Sequence, residues 1–379
     1  MSKPLPTTLF TPVQLGAVTL KHRVVMPALS RLRAHWPTAI PSELMLKHYS
    51  QRASDGGLII TESTAIASEG RAYHTAPGIW NDDQVVGWKQ ITDAVHAKGG
   101  FMFIQLGHAG RATSESLSGI QPVSASVDPS FMENQSVVVT TPEGLVPPSL
   151  HRALDTAGIA GIVEQYRAAA KNAQRAGFDG IEIFAAQGHL VEQFLQNGSN
   201  KRTDRYGGSF GNRTRLLLEI VEAVAGVVGL DRVGVRISPS STFNGMGDSD
   251  PEGLFRYVAE RLDQAHIAYL HIIEPRISGA DTVAEGQDAI AAKGLSRVFH
   301  GTIIAAGGFS PESAEAAVAD GTAKLIAFGR HFTSNPDLPI RIERGLPLTP
   351  YERSTFYSSG PEGYVDFVAY QPEAALEPA

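Results

Sequence analysis

Short apolar runs recur along the chain, separated by stretches with helical periodicity or by turn-rich segments. Within the runs apolar residues are nearly continuous, which is typical of parallel strands covered on both faces. Between them, apolar residues recur at helical spacing over 159–170 and 216–227. For the first of these helices we predict Asp155 or Thr156 as the N-terminal cap and Gly177 as the stop. The eight predicted strands are residues 23–26, 58–61, 101–106, 180–184, 233–237, 268–273, 302–306 and 325–328.

Eight strands joined by helical segments predict a closed (β/α)8 TIM barrel. The alternative is an open doubly wound sheet, but no Gly-x-Gly-x-x-Gly follows a predicted strand. Residues 1–22 exceed a minimal barrel, and we expect them to form an N-terminal lid over its bottom. Residues 107–155 are a turn-rich insertion after strand three, with a predicted hairpin around 137–146. Such an insertion would cap the active site of a single domain spanning 1–379.

Composition narrows the functional classes. Hydrophobic residues make up 42% of the 379 and charged residues 19%, which favours a large buried core. The 39 acidic and 32 basic residues give a net charge of −7, which argues against nucleic-acid or membrane-surface binding. The absence of cysteine excludes disulfides, thiolate metal sites and cysteine nucleophiles. With neither a signal-peptide core nor a membrane-spanning run, we expect a cytoplasmic enzyme acting on a small molecule.

In a barrel, functional residues follow the strands, and the loops after strands seven and eight often bind phosphate. Here those loops read Ala306-Gly-Gly-Phe309 and Phe328-Gly-Arg330. They offer exposed backbone N–H groups at Gly307, Gly308 and Phe309, together with one guanidinium. The alternative is that the glycines only make tight turns. A phosphate site is in any case shared by isomerases, aldolases and flavoenzymes.

Two further strand-end side chains suit a flavin. The Gln105 amide can donate to and accept from the pyrimidine edge, and Arg236 supplies a cation where reduced flavin collects negative charge. Taken alone, both side chains could equally satisfy neighbouring loops.

An ordered set of motifs resembles the old yellow enzyme family over roughly residues 8–366. The set includes Arg23-Val-Val-Met-Pro-Ala-Leu-Ser-Arg31, Gln105-Leu-Gly-His-Ala-Gly-Arg111, Ala176-Gly-Phe-Asp-Gly-Ile-Glu-Ile183, Asn200-Lys-Arg-Thr-Asp-Arg-Tyr-Gly-Gly-Ser209 and Phe328-Gly-Arg330.

The resemblance implies an enzyme that binds FMN, takes hydride from NADPH or NADH, and passes it to an activated C=C bond. It also implies roles by position. The flavin ring would be contacted by Ser30, Gln105 and Arg236, and the backbone would pass it at Ala28 and Ser63. The flavin phosphate would be held by Gly308, Gly329 and Arg330. The substrate cavity would be lined by Tyr73 and Tyr357. Other matched residues would brace loops, namely His108, Arg111, Arg202, Asp204, Tyr206 and Arg213.

The segment after strand four departs from the family. Where the family presents His, then His or Asn, then Tyr, this chain has Phe184, Gln187 and His189. Phe184 donates no hydrogen bond, and losing one oxyanion donor costs on the order of 3 kcal/mol. Gln187 can still donate a hydrogen bond through its amide. His189 could transfer the proton, because an imidazole titrates near neutral pH. Gly107 stands where the family has a bulky Trp, and we expect it to open space above the flavin.

Non-catalytic alternatives stay open for this segment. His189 could be a structural or solvent-facing histidine, and Phe184 could simply fill the core. The first functional hypothesis is reduction of a strongly electron-poor C=C bond, which needs little help from a second donor. The alternative is a flavin-dependent isomerase or desaturase of a ring compound, in which the donor pair is dispensable. A third hypothesis is a flavin-holding protein without efficient turnover.

Overall fold

A computed structural model describes residues 6–134, 137–279, 281–284 and 289–370. Eight parallel strands form its centre, and each pairs with the next along the chain. The last strand pairs with the first, which closes the ring and confirms the predicted (β/α)8 barrel. The strands are β1 Val24–Met26, β2 Leu58–Ile60, β3 Phe101–Gly107, β4 Gly180–Ala185, β5 Val233–Ile237, β6 Tyr269–Ile273, β7 Thr302–Ala306 and β8 Leu325–Ala327.

Helices cover the outside of the barrel. Within the described residues they are α1 Glu43–Arg52, α2 Asp82–His96, α3 Pro129–Glu133, α4 Thr156–Arg175, α5 Leu190–Leu195, α6 Phe210–Val228, α7 Pro251–Gln264, α8 Ala292–Leu295, α9 Pro311–Ala319, α10 Gly329–Ser334 and α11 Leu338–Arg344. None of them is both long and apolar enough to cross a membrane.

Helix α4 shows how the sequence sets these elements. Asp155 caps it, with its side chain accepting a hydrogen bond from Gly158 N at 2.7 Å. Ile159, Ile162 and Tyr166 lie on the buried face that packs against the barrel. Gly177 follows the helix with φ of +83°, a conformation that glycine adopts without strain. The predicted helix, cap and stop are confirmed.

The N-terminal segment covers the bottom of the barrel, as predicted. Val13–Leu15 and Val18–Leu20 pair antiparallel, and Ala17 N donates to Asp231 O at 2.9 Å. The hairpin buries its apolar face against the lower ends of the strands, in a cluster that includes Leu15, Leu20, Leu58, Phe103 and Tyr269. Residues 1–5 of the predicted lid lie outside the described residues.

The insertion after β3 contains the predicted hairpin. Val139–Thr141 pairs antiparallel with Gly144–Val146. Further along, Arg152–Ala153 pairs parallel with Val123–Ser124, which returns the chain to α4. Residues 135–136 of the predicted insertion lie outside the described residues.

Candidate active site

One cavity opens at the carboxyl ends of the barrel strands, where barrel enzymes place their sites. All eight strands, or the residues directly after them, contribute to its lining. Fourteen of the fifteen residues singled out from the sequence line it: Ala28, Ser30, Ser63, Tyr73, Gln105, Phe184, Gln187, His189, Arg236, Gly307, Gly308, Gly329, Arg330 and Tyr357.

The loops after β7 and β8 form a cradle of backbone and one cation. Gly307 and Gly308 have φ of +135° and +64°, and a Cβ on Gly307 would lie 2.7 Å from Ile277 Cγ1. Glycine is therefore required for both conformation and space. Arg330 Nη1 donates to Thr282 Oγ1 at 2.7 Å. Its Nη2 is buried without a hydrogen-bond partner among the described residues, as expected of a group that awaits an anionic ligand.

Phe309 is the exception among the fifteen. Its ring lies beneath the Arg276 guanidinium, 4.7 Å from the ring centroid, and is absent from the cavity lining. Arg276 Nε in turn donates to Gly307 O at 2.6 Å. The Phe309 side chain thus packs under Arg276, which supports the Gly307 loop, and the predicted contribution of the Phe309 backbone N–H to the phosphate site stays a prediction.

Gln105 and Arg236 line the cavity at the ends of β3 and β5. Gln105 Nε2 donates to Glu182 Oε1 at 2.7 Å, and Arg236 Nη1 donates to Ala28 O at 3.1 Å. Burial lowers the pKa of Arg236 and the Glu182 carboxylate raises it, but an arginine stays protonated at neutral pH. Arg236 Nε is buried and lacks a partner within the described part of the chain. The unpaired donors on Arg236 and Arg330 and the glycine cradle together fit FMN.

The Gln187 side chain is held in one orientation by a neighbouring loop. Its Oε1 accepts a hydrogen bond from Gly279 N at 2.9 Å, in the loop after β6. The backbone is held too, because Gln187 N donates to Ser238 Oγ at 2.8 Å and Gln187 O accepts from Asn244 Nδ2 at 2.9 Å. These contacts hold the residue at φ of +55°. Its Nε2 is buried without a partner in the described ranges and is the donor left for a ligand.

A buried carboxyl group supports this loop from below. Glu192 is fully buried, and its oxygens accept from Gly188 N at 2.5 Å and Ser238 Oγ at 2.8 Å. Burial raises the pKa of Glu192 to about 8, although hydrogen bonds from Gly188, Ser238 and Gln196 act to lower it. Ser238 therefore links Glu192 to the Gln187 backbone.

His189 lies against Phe184, with ring centroids 4.6 Å apart. Burial, and then nearby His108, lower the pKa of His189 to about 3. The expectation of an imidazole that titrates near neutral pH is therefore wrong, because burial and the nearby His108 both disfavour the charged form. At pH 6–8 His189 is neutral and can donate a hydrogen bond but is a poor acid.

Phe184 and Gly107 share one space. Phe184 packs in a small buried cluster with Ala186 and Ile273 and also lines the cavity. A Cβ on Gly107 would lie 2.5 Å from Ser63 Oγ and 3.5 Å from Phe184 Cδ1. Ser63 Oγ thus occupies the space beside Gly107, and Gly107 does not line the cavity. The expected space above the flavin stays a prediction.

The two predicted tyrosines lie on the cavity wall. Tyr73 is half-buried, and burial together with Tyr357 raises its pKa to about 12. Its phenol therefore keeps its proton at neutral pH. Tyr357 is 55% exposed at the cavity rim.

Other matched residues hold loops in place, as predicted. Arg111 pairs with Asp128 at 2.7 Å. Arg202 pairs with Asp204 at 2.5 Å. Arg213 pairs with buried Asp248.

The cavity also contains residues that sequence reasoning missed. They come from the loops after β5 and β6 and from the C-terminal segment, namely Phe243, Ile277, Gly279, Thr333 and Phe356. For Phe243, Ile277 and Gly279 a position after a strand was the available signal, whereas Thr333 and Phe356 lie in α10 and the C-terminal segment and carry no residue type that implies chemistry.

Comparison with known proteins agrees with this geometry. The profile of the NADH:flavin oxidoreductase / NADH oxidase family matches residues 8–349. A 12-oxophytodienoate reductase 2 from Arabidopsis thaliana is 41% identical over 97% of this chain and 96% of its own length. A structure of morphinone reductase in complex with tetrahydroNAD is 44% identical, covers 96% of this chain and 98% of its own, and has a TM-score of 0.87. The old yellow enzyme homologue from Zymomonas mobilis is 38% identical, covers 96% of this chain and 99% of its own, and has a TM-score of 0.89.

The chain belongs to the NADH:flavin oxidoreductase / NADH oxidase family, as an old yellow enzyme. It is an FMN-dependent oxidoreductase that uses a reduced nicotinamide as its hydride source and has ene-reductase activity. The alternative of an isomerase or desaturase is not favoured, because the relatives are reductases.

Proposed function

We propose that this enzyme reduces strongly electron-poor C=C bonds, with the Gln187 amide as the principal donor to the substrate's electron-withdrawing oxygen. The observation that carries the proposal is the buried, unpaired Nε2 of Gln187, aimed by the bond from Gly279 to Oε1. One donor in place of two stabilises developing negative charge less, by on the order of 3 kcal/mol. Alkenes that delocalise this charge themselves, such as maleimides or nitroalkenes, tolerate that loss best.

FMN, when bound, supplies hydride chemistry between the nicotinamide and the alkene. Gly307, Gly308, Gly329 and Arg330 would hold its phosphate. Gln105 and Arg236 would hold the pyrimidine end. The flavin ring would lie beside Ala28, Ser30 and Ser63, since all three line the same cavity.

The proton for the substrate carbon must come from a group that keeps it through pH 6–8. The imidazolium form of His189 is scarce there, since its pKa is lowered to about 3. Tyr73 meets the requirement, because its phenol lines the cavity and its pKa is raised to about 12. We therefore assign protonation of the substrate carbon to Tyr73. His189 would act as a neutral hydrogen-bond donor or as a packing group beside Phe184.

The test is anaerobic stopped-flow reoxidation of the reduced enzyme by a maleimide. Gln187→Leu should slow this step about 10²-fold. Gln187→Glu retains an oxygen that accepts from Gly279 N but replaces the Nε2 donor with a second acceptor. This variant should slow reoxidation by a similar factor. Gln14→Leu, an exposed site at the barrel bottom, is the matched control. A Gln187→Leu rate equal to that of the control would refute the assignment.

We further propose that residues 107–155 cap the site within a single FMN-binding domain, 1–379. The insertion touches two of the segments that carry cavity residues. His74 N, next to Tyr73, donates to Thr140 O at 3.1 Å, and Arg111 Nη2 donates to Gly245 O at 3.2 Å, near Phe243. The cytoplasmic location stays a prediction.

A further inference from the structure

A polar network crosses the interior of the barrel below the cavity. Strand register places Glu182 of β4 beside Gln105 of β3. Glu182 Oε1 accepts from Gln105 Nε2 at 2.7 Å, and Oε2 lies 2.7 Å from His271 Nδ1 on β6. Side chains at such positions in a barrel are usually apolar branched residues. All three residues are at most 1% exposed, so the network displaces part of the apolar core.

The network determines which end of the Gln105 amide a ligand meets. An ionised carboxylate only accepts hydrogen bonds, so Gln105 must turn its NH2 group toward Glu182. Its carbonyl oxygen is then the acceptor left for the cavity that Gln105 lines. A pyrimidine edge with an N–H group fits this orientation, whereas a rotated amide would present a second donor.

Charge is the second consequence. Burial raises the pKa of Glu182, but His271, Arg236 and Gln105 outweigh burial and the net shift is downward, so the carboxyl group is ionised at neutral pH. Burial lowers the pKa of His271 although Glu182 acts to raise it, so the imidazole is neutral and stabilises the Glu182 charge through its Nδ1–H hydrogen bond. The Glu182 charge therefore offsets part of the Arg236 charge at the end of the cavity where reduced flavin gathers negative charge.

We propose that Glu182 is a positioning residue that orients the Gln105 amide and sets the balance between oxidised and reduced FMN. This role depends on FMN binding and is independent of the substrate and of Gln187. It assigns a function to a buried carboxylate that does not line the cavity.

The test compares FMN-loaded wild-type enzyme with Glu182→Gln. Removing the negative charge leaves Arg236 uncompensated, so reduced FMN should gain about tenfold in affinity relative to oxidised FMN. For a two-electron couple this is a rise of about 30 mV in midpoint potential. Glu192→Gln is the control, since that buried carboxyl group is mostly protonated at pH 7 and its replacement should shift the balance less than threefold.

A second variant separates orientation from charge. Glu182→Asp retains the charge but shortens the side chain, so the bond to Gln105 is lost. We expect its midpoint potential to stay within the range of the control, while the dissociation constant for oxidised FMN rises severalfold and the flavin absorption band shifts. A Glu182→Gln holoenzyme with an unchanged potential overturns the proposal. If Glu182→Gln does not fold, an unaltered FMN affinity and spectrum in Glu182→Asp overturns it instead.

Discussion

The cavity has two halves that are built differently. We call the part with Gln105, Arg236 and Arg330 the cofactor half and the part with Phe184, Gln187 and His189 the substrate half. Gln105 and Arg236 are placed by strands β3 and β5, whose register is set by the closed sheet. Gln187 is placed by contacts between two loops, above all the bond from Gly279 N. Loops tolerate substitution better than barrel strands do. The loop that carries Gln187 and His189 can therefore differ from the family pattern, whereas Gln105 and Arg236 on the strands match it. Phe184, which also differs, lies on strand β4.

Two buried glutamates make the same contrast in electrostatic terms. Glu182 and Glu192 are both fully buried. Glu182 has His271 and Arg236 near it, and its pKa is lowered in spite of burial. Glu192 has only neutral donors, and burial raises its pKa to about 8. A buried carboxylate thus stays charged only where cationic or strongly polar partners replace water.

The largest expected effect concerns the proton donor. Tyr73→Phe should slow reoxidation by an alkene about 10²–10⁴-fold, the usual contribution of a general acid. His189→Ala should slow it less than about tenfold, the expectation for loss of one neutral hydrogen bond. The rate should also be flat from pH 6 to 8, because the pKa values of Tyr73 and His189 lie well outside that window, at about 12 and about 3. If the reoxidation rate falls from pH 6 to 8 and is abolished by His189→Ala, the proton donor is His189 and not Tyr73.

The second prediction tests the cofactor half. Arg330→Ala should raise the dissociation constant for FMN about 10²-fold, since hydrogen bonds to charged groups contribute about 1.5–3 kcal/mol each. Phe184→Leu, in the substrate half, should leave FMN affinity unchanged. Fluorescence titration of the apoproteins with FMN measures both. Equal losses in the two variants would contradict the division of the cavity into halves.

The third prediction restores the family's donors. Phe184→His combined with Gln187→Asn should raise reduction of cyclohexenone by about 10–10²-fold, because a second donor again stabilises the developing charge. The effect on a maleimide should be smaller. Steady-state rates with both alkenes decide the matter. If the natural enzyme already reduces cyclohexenone as fast as the maleimide, another residue supplies the donor.

The smallest expected effect concerns stability and Glu192. In the unfolded chain this carboxyl group ionises near its ordinary pKa of 4.5, whereas in the folded protein its pKa is raised to about 8. Its contribution to the free energy of unfolding is thus complete below pH 4.5 and is lost as pH rises through 8. Glu192→Gln should gain about 2–4 °C in melting temperature relative to wild type between pH 5 and 8. Glu143→Gln, at an exposed hairpin turn, should track wild type at every pH.

Local patterns predicted most of the fold. Continuous apolar runs indicated all eight barrel strands, because parallel strands are buried on both faces. Asp155 and Gly177 marked the ends of α4 because capping depends on residues close in sequence. Strand-end position and the family resemblance together singled out Gln105, Arg236 and Arg330, and all three line the cavity.

Only the tertiary structure decided how the substrate half works. The contact between Gln187 and Gly279 joins residues 92 apart, and no local pattern marks it. The pKa of His189 depends on burial and on His108, and the space beside Gly107 depends on Ser63 and Phe184. The Phe309 ring packs under Arg276, far along the chain from it, and does not line the cavity. The sequence by itself determined the elements and the residue types available, whereas desolvation, side-chain direction and loop contact are properties of neighbours that only folding brings together.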